Sequence, residues 1–140
     1  MQAINVNWLA VLVAAVSNMI IGGLWYGPIF GKKWQALMGW SHSTPEQMAA
    51  MKKGMGKSYF IMFIAALVMA YVFAHTISYA GAKTLMDAIA VAFWTWLGFI
   101  GTVTLSSVLW EKKPKALWVL NNGYWLVSLI VMAKILVMWK

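Results

Sequence analysis

The sequence predicts an all-α membrane protein: an antiparallel bundle of four transmembrane helices with a short amphipathic helix in the first cytoplasmic loop. Three observations point there. Of 140 residues, 63% are hydrophobic and 10% charged, where soluble domains carry about 45–50% and about 25%. A short chain buries a small share of its surface on folding, so this much apolar area needs lipid as its solvent. The apolar residues gather into four runs, each long enough to cross about 30 Å of hydrocarbon at about 1.5 Å per residue. The lysines lie between the runs, mostly on one side. The chain, 1–140, reads as a single domain.

The first run covers roughly residues 7–26. It follows a stretch without lysine and is too long for a signal-peptide core, so it is expected to remain as a spanning helix. The others cover roughly 59–79, 85–110 and 117–139. The connection 27–58 is the long one. Pro28, Gly31, Gly39 and Pro45 make its start irregular. Thr44-Pro45-Glu46-Gln47 then supplies a cap, a first-turn proline and an early acid, so a helix is predicted from 45 to about 53. Gly54 and Gly56 are expected to break it before the second span. The two remaining connections are short, which predicts that consecutive spans are antiparallel neighbours.

Orientation follows from lysine. Lys32, Lys33, Lys52, Lys53, Lys57, Lys112, Lys113 and Lys115 fall on one side; Lys83 and Lys140 fall on the other, with Lys134 inside a span. The basic loops are expected in the cytoplasm and both termini outside. The net charge of +8 therefore reads as membrane orientation, and no nucleic-acid partner is expected. Cysteine and arginine are both absent. This excludes disulfides, thiolate chemistry and bidentate guanidinium recognition. Two histidines and three acids leave little for a metal cage or an acid–base pair. No cofactor and no enzymatic activity are expected.

Membrane helices pack through small and polar residues. At about 100° per residue, Asn7, Ala14, Asn18 and Trp25 share a face of the first span. Ala66, Ala70 and Ala74 share one on the second. Asp87, Trp94, Gly98, Gly101 and Leu105 share one on the third, and Asn121, Trp125, Ser128, Met132 and Trp139 one on the fourth. These stripes are the expected bundle interior.

Polar residues within spans are the candidates for function. Asn7, His75, Tyr79, Asp87 and Lys134 fall at one level and form a candidate outer cluster, in which Asp87 and Lys134 could pair. Each also has a structural reading: Lys134 can snorkel, Asp87 can complement a helix start, and His75 can bond its neighbours. At the other end Asn18, Trp25, Tyr26, Pro28, Trp34, Asn121 and Asn122 form a candidate inner mouth. Asn18 needs a partner in hydrocarbon, and Asn121 or Asn122 is the simplest choice. The run Gly22 to Trp34, rich in glycine and aromatics around Pro28, predicts a tight folded-back segment. It reads as an interfacial belt or as a gate or site for an amphipathic ligand.

Gly23-Leu24-Trp25-Tyr26-Gly27-Pro28, with Phe30-Gly31-Lys32 and Trp34, resembles the signature of a bacterial family known as domain of unknown function 1761. The resemblance extends to Asn7–Ala15, to Ala70-Tyr71-Val72-Phe73-Ala74, to Trp96-Leu97-Gly98-Phe99 and to Asn121-Asn122-Gly123-Tyr124. It implies a small four-span protein of the bacterial cytoplasmic membrane and brings no catalytic residues. A fainter similarity, of Gly27-Pro28-Ile29-Phe30, Trp34 and Ala36-Leu37-Met38-Gly39, is to the tryptophan-rich translocator proteins. Those bind porphyrins and lipids through five spans where this chain has four.

Two functions stand ahead of enzymatic activity. One is binding or transport of an apolar or amphipathic small molecule or lipid by a homo-oligomer. The other is an accessory subunit that stabilises a larger membrane complex. The expected partners are membrane lipid, further copies of the chain and other membrane subunits.

Overall fold

The computed structural model describes residues 3–40 and 42–140. It is helical, and no strand occurs among the described residues. Four helices are long and apolar enough to cross a membrane: Trp8–Ile29, Met55–Tyr79, Leu85–Leu109 and Lys115–Met138. Two short helices, Gly31–Leu37 and Pro45–Lys52, fill the first connection.

The first span starts where Asn7 caps it, accepting from the backbone N–H of Leu9 and Ala10. It ends in a π-turn, Trp25–Ile29. Pro28 explains the wider turn. Its ring has no N–H and crowds the carbonyl four residues back, and a π-turn opens the backbone there. The Phe30 N–H reaches back to Trp25 O at 2.9 Å. Where the composition predicts an irregular start to the loop, the chain thus stays helical through Ile29 and enters a further helix at Gly31. Gly31 is required: a Cβ there would lie 2.9 Å from the Tyr26 carbonyl oxygen.

The helix at Pro45 carries the expected cap. Thr44 and Gln47 exchange bonds between side chain and backbone, a reciprocal capping box. None of its residues is buried; Met48 and Met51 are half-buried. The second span begins at Met55, ahead of the expected 59, directly after Gly54 in the left-handed region at φ 82°. It closes with the Ala82 N–H on Ile77 O and the Gly81 N–H on Ser78 O, the paired bonds of a Schellman ending. The third span opens on a second capping box, Thr84 with Asp87, and contains its own π-turn, Leu97–Gly101.

The fourth span is the most buried of the four. It packs on the first and third spans and, less extensively, on the second; the first span also packs on the second. The second and third spans touch little despite their short connection. Trp8 stacks on Tyr71 at 5.2 Å, Asn7 Nδ2 donates to Trp139 O, and Lys140 Nζ donates to Ala82 O. At the other end Trp25 Nε1 donates to Leu120 O and Trp118 Nε1 to Thr104 Oγ1. The end of the first span and the end of the third thus both lie against the start of the fourth. Eight lysines sit at that end of the molecule.

The core is alanine-rich. Ala10, Ala14, Ala15, Ala66, Ala70, Ala88, Ala92 and Ala133 are buried around Phe73, Ile77, Leu129 and Met132. Small side chains let backbones approach closely, which is what holds helices together in lipid. The stripes expected on the first, second and fourth spans contribute Ala14, Asn18, Ala66, Ala70, Ser128 and Met132 to this interior. The third-span stripe needs correction. Asp87, Trp94, Gly98 and Leu105 face outward, and Ala88 and Ala92 are the buried residues, with Trp96 packed beside them. The repeat of four from Ala88 to Trp96 becomes five through the π-turn and brings Gly101 to the buried face. A constant 100° step cannot anticipate that extra residue.

Candidate functional site

At the lysine-rich end, the aromatic segment is clamped onto the fourth span. Trp25 Nε1 donates to Leu120 O at 3.0 Å, and Tyr26 OH donates to Asn121 Oδ1 at 2.7 Å. Trp25 fits because position 123 is glycine: a Cβ there would lie 3.0 Å from the indole. From this clamp a chain of rings runs outward. Tyr124 meets Tyr26 at 5.4 Å, Tyr26 meets Trp34 at 5.5 Å, and Trp34 meets Trp40 at 4.7 Å, each edge to face. Each such pair contributes about 0.5–1.5 kcal/mol beyond its buried area.

Trp40 is brought back to Trp34 by a second Schellman ending. Its N–H bonds Gln35 O, the Gly39 N–H bonds Ala36 O, and Gly39 takes φ 77°. Gly39→Ala is expected to cost about 1–2 kcal/mol, the penalty of a side chain in the left-handed region. It should also release Trp40, measured as a loss of thermal stability together with a red-shifted tryptophan emission.

Beyond Trp40 lies an open hollow of about 520 Å³, lined by Gly39, Trp40, His42, Ser43, Gln47 and Met51 among others. It lies against the helix Pro45–Lys52 and the connection that precedes it; Lys52 and Lys53, where that helix ends, are exposed, as are Lys32 and Lys33 in the helix before it. The expected mouth residues Trp25, Tyr26, Trp34 and Asn121 are therefore brought together, with Pro28 shaping the turn beneath them. Trp40 and Gln47 were missed: a tryptophan after Leu-Met-Gly signals nothing until the Schellman bond folds it back.

Asn18 and Asn122 are placed elsewhere than the simplest pairing expects. Asn18 is buried and donates through Nδ2 to Ser128 Oγ, while Tyr124 OH donates to Asn18 O at 3.2 Å. Asn122 donates to Thr104 Oγ1 and to Trp118 O, both at 3.0 Å. Register is the reason. The pairs Asn7 with Trp139, Trp25 with Leu120, Tyr26 with Asn121 and Asn18 with Ser128 have residue numbers that add to 145–147. A bond from Asn18 to Asn121 would need a slip of about two helical turns. Thr104, which accepts from Asn122 and Trp118 and donates to Ile100 O, was not legible as a partner.

At the opposite end the five candidate residues do not converge. Asn7 caps its helix. His75 Nδ1 lies 3.0 Å from Tyr71 O, and its ring sits between those of Tyr71 and Tyr79. Asp87 Oδ2 accepts from the N–H groups of Lys83 and Thr84, each at 2.9 Å. Lys134 is half-buried and forms no ion pair with Asp87; the ion pair among the described residues joins Lys113 and Glu111 in the loop. The Asp87 carboxylate is turned onto its own helix start, where free N–H groups favour a negative charge. Asp87→Ala should lower the melting temperature in detergent and leave ligand binding unchanged. A small cavity of about 20 Å³ lies at this end, between Asn5, Asn7, Ser78, Trp139 and Lys140, room for about one water.

A family model described as a protein of unknown function, DUF1761, matches residues 9–137. The chain belongs to this family. The match covers nearly all of the chain, so the four spans, but for the outermost residue of the first and of the fourth, and the Trp25–Trp34 segment lie within the family's domain. No curated protein and no solved structure matches the chain.

Proposed function

We propose that this protein binds an anionic amphiphile at its lysine-rich end, without enzymatic activity, as a homo-oligomer in the bacterial cytoplasmic membrane. The excess of lysine at that end supports a cytoplasmic position for it. One observation carries the reading: the ring chain Tyr124–Tyr26–Trp34–Trp40 leads from the bundle to a hollow whose wall is Trp40 itself. The Trp40 ring suits an apolar tail, and the exposed lysines of the same end of the molecule suit an anionic headgroup.

The test is native mass spectrometry of the protein from micelles holding equal amounts of phosphatidylglycerol and phosphatidylcholine. Retention of phosphatidylglycerol is expected, reduced about tenfold by Trp40→Ala, the loss of about 1.4 kcal/mol. Trp94→Ala, on an outward face, should leave it unchanged. Equal retention of both lipids, or retention unaffected by Trp40→Ala, would overturn the reading.

A second reading, the accessory subunit, rests on the third span. It packs mainly on the fourth and leaves Trp94, Phe99 and Trp110 exposed. Stoichiometric foreign subunits in a preparation from native membranes would favour it.

A further inference from the structure

The cavity of about 20 Å³ at the outer end is walled by three parts of the chain. Ile4, Asn5, Val6 and Asn7 belong to the approach to the first span, which adds Ala10. Ala74 and Ser78 belong to the second span. Leu136, Trp139 and Lys140 belong to the end of the fourth.

Two sets of polar groups in this wall lack partners. Ile4, Asn5 and Val6 lie in neither helix nor strand, and their backbone N–H and C=O groups form no hydrogen bond with the described residues. Ile4 and Val6 are nonetheless half-buried, and Val6 packs against the core. Backbone groups withdrawn from solvent need a partner in protein or in ordered water. Ser78 is the second case. Ser17 and Thr76 turn their hydroxyls back onto carbonyls of their own helices, Ala14 O and Val72 O. Ser78 Oγ makes no such bond, nor any other with the described residues. The remaining polar side chains at this end are engaged. Asn7 Oδ1 accepts from Leu9 and Ala10 N–H, Asn7 Nδ2 donates to Trp139 O, and Lys140 Nζ donates to Ala82 O.

We propose that the cavity binds one ordered water. The water bridges Ser78 Oγ to the unpaired backbone of Ile4–Val6 and so fastens the approach to the first span onto the second. The size is right: about 10–15 Å³ is enough to hold one water, which then makes about 2–4 hydrogen bonds. A wholly apolar cavity of this size stays dry, but this wall contains a hydroxyl and three unpaired peptide units. Water donates and accepts, so it serves N–H, C=O and hydroxyl alike. An ion does not suit the site. No carboxylate side chain lines it to balance a cation, and the Lys140 ammonium is turned onto Ala82 O instead of being offered to an anion. Ala10, Ala74 and Leu136 give no compensation for stripping an ion of its hydration. The site lies at the opposite end of the bundle from the hollow at Trp40 and is independent of it.

Crystals of the full chain grown in a lipid mesophase, at a resolution that shows waters, test this. The expected result is a single density peak in the cavity, about 2.5–3.0 Å from Ser78 Oγ and within hydrogen-bond reach of a backbone atom of residues 4–6. Ser78→Ala removes one partner and adds no bulk, and the peak should be lost. Ser78→Thr keeps the hydroxyl and should keep the peak. A second measurement needs no crystal. The chain has no cysteine, so Val6→Cys reports how firmly the approach is held, through its rate of maleimide labelling in lipid nanodiscs. Adding Ser78→Ala should raise that rate about three- to tenfold, the loss of one hydrogen-bonded bridge, and adding Ser78→Thr should leave it unchanged. An empty cavity, a lipid or detergent atom in it, a peak that persists in Ser78→Ala, or labelling indifferent to Ser78 would each overturn the proposal.

Discussion

Asn18→Cys combined with Ser128→Cys should cross-link on mild oxidation in the membrane, and Asn18→Cys combined with Asn121→Cys should not. The natural chain has no cysteine, so the background is zero. A disulfide needs its two Cα atoms within about 7 Å. Asn18 and Ser128 bond directly through short side chains. Asn121 is two helical turns from Ser128, about 10 Å along the axis, and its own partner is Tyr26. Cross-linked and free chain are separated by gel mobility with and without reductant. Efficient coupling of the second pair, or equal coupling of both, would mean that the first and fourth spans meet in another register. The aromatic clamp and the Asn18 bond both rest on this register.

The four spans were legible because lipid sets a length and an apolarity that few other structures need. Thr44-Pro45-Glu46-Gln47 was legible as a helix start because capping is local chemistry, complete within four residues. Asn18 illustrates the opposite case. Its burial was legible from its place on the alanine face, yet its partner depends on how two helices slide against each other, and an isolated helix pattern carries no axial coordinate. Asp87 shows a third limit. A carboxylate near a helix start can face its own backbone or a neighbour, and Thr84 three residues earlier decided for the backbone. Thr84 and Asp87 already had the spacing of a capping box, so that outcome was readable. Trp40 was not, since its place at the hollow depends on Gly39 reversing the chain.

Ala92→Leu should destabilise the bundle by about 1–3 kcal/mol, while Gly98→Leu should be close to neutral. Ala92 is fully buried, on the face by which the third span meets the fourth. Apolar transfer contributes little between helices already in lipid, so the effect comes from lost close packing. A longer side chain there acts as a wedge. Gly98 shared the face expected from a constant 100° step, but a Cβ at 98 meets nothing within 4 Å, and a leucine there extends into lipid. Melting of each variant in the same detergent separates the cases. A large loss from Gly98→Leu with none from Ala92→Leu would restore the unbroken helical face and remove the π-turn from the packing. Because the second and third spans touch little, the wedge should loosen the third span and leave Trp25 and Tyr26 clamped. Retention of phosphatidylglycerol should therefore survive Ala92→Leu, which separates the packing of the third span from the hollow at Trp40.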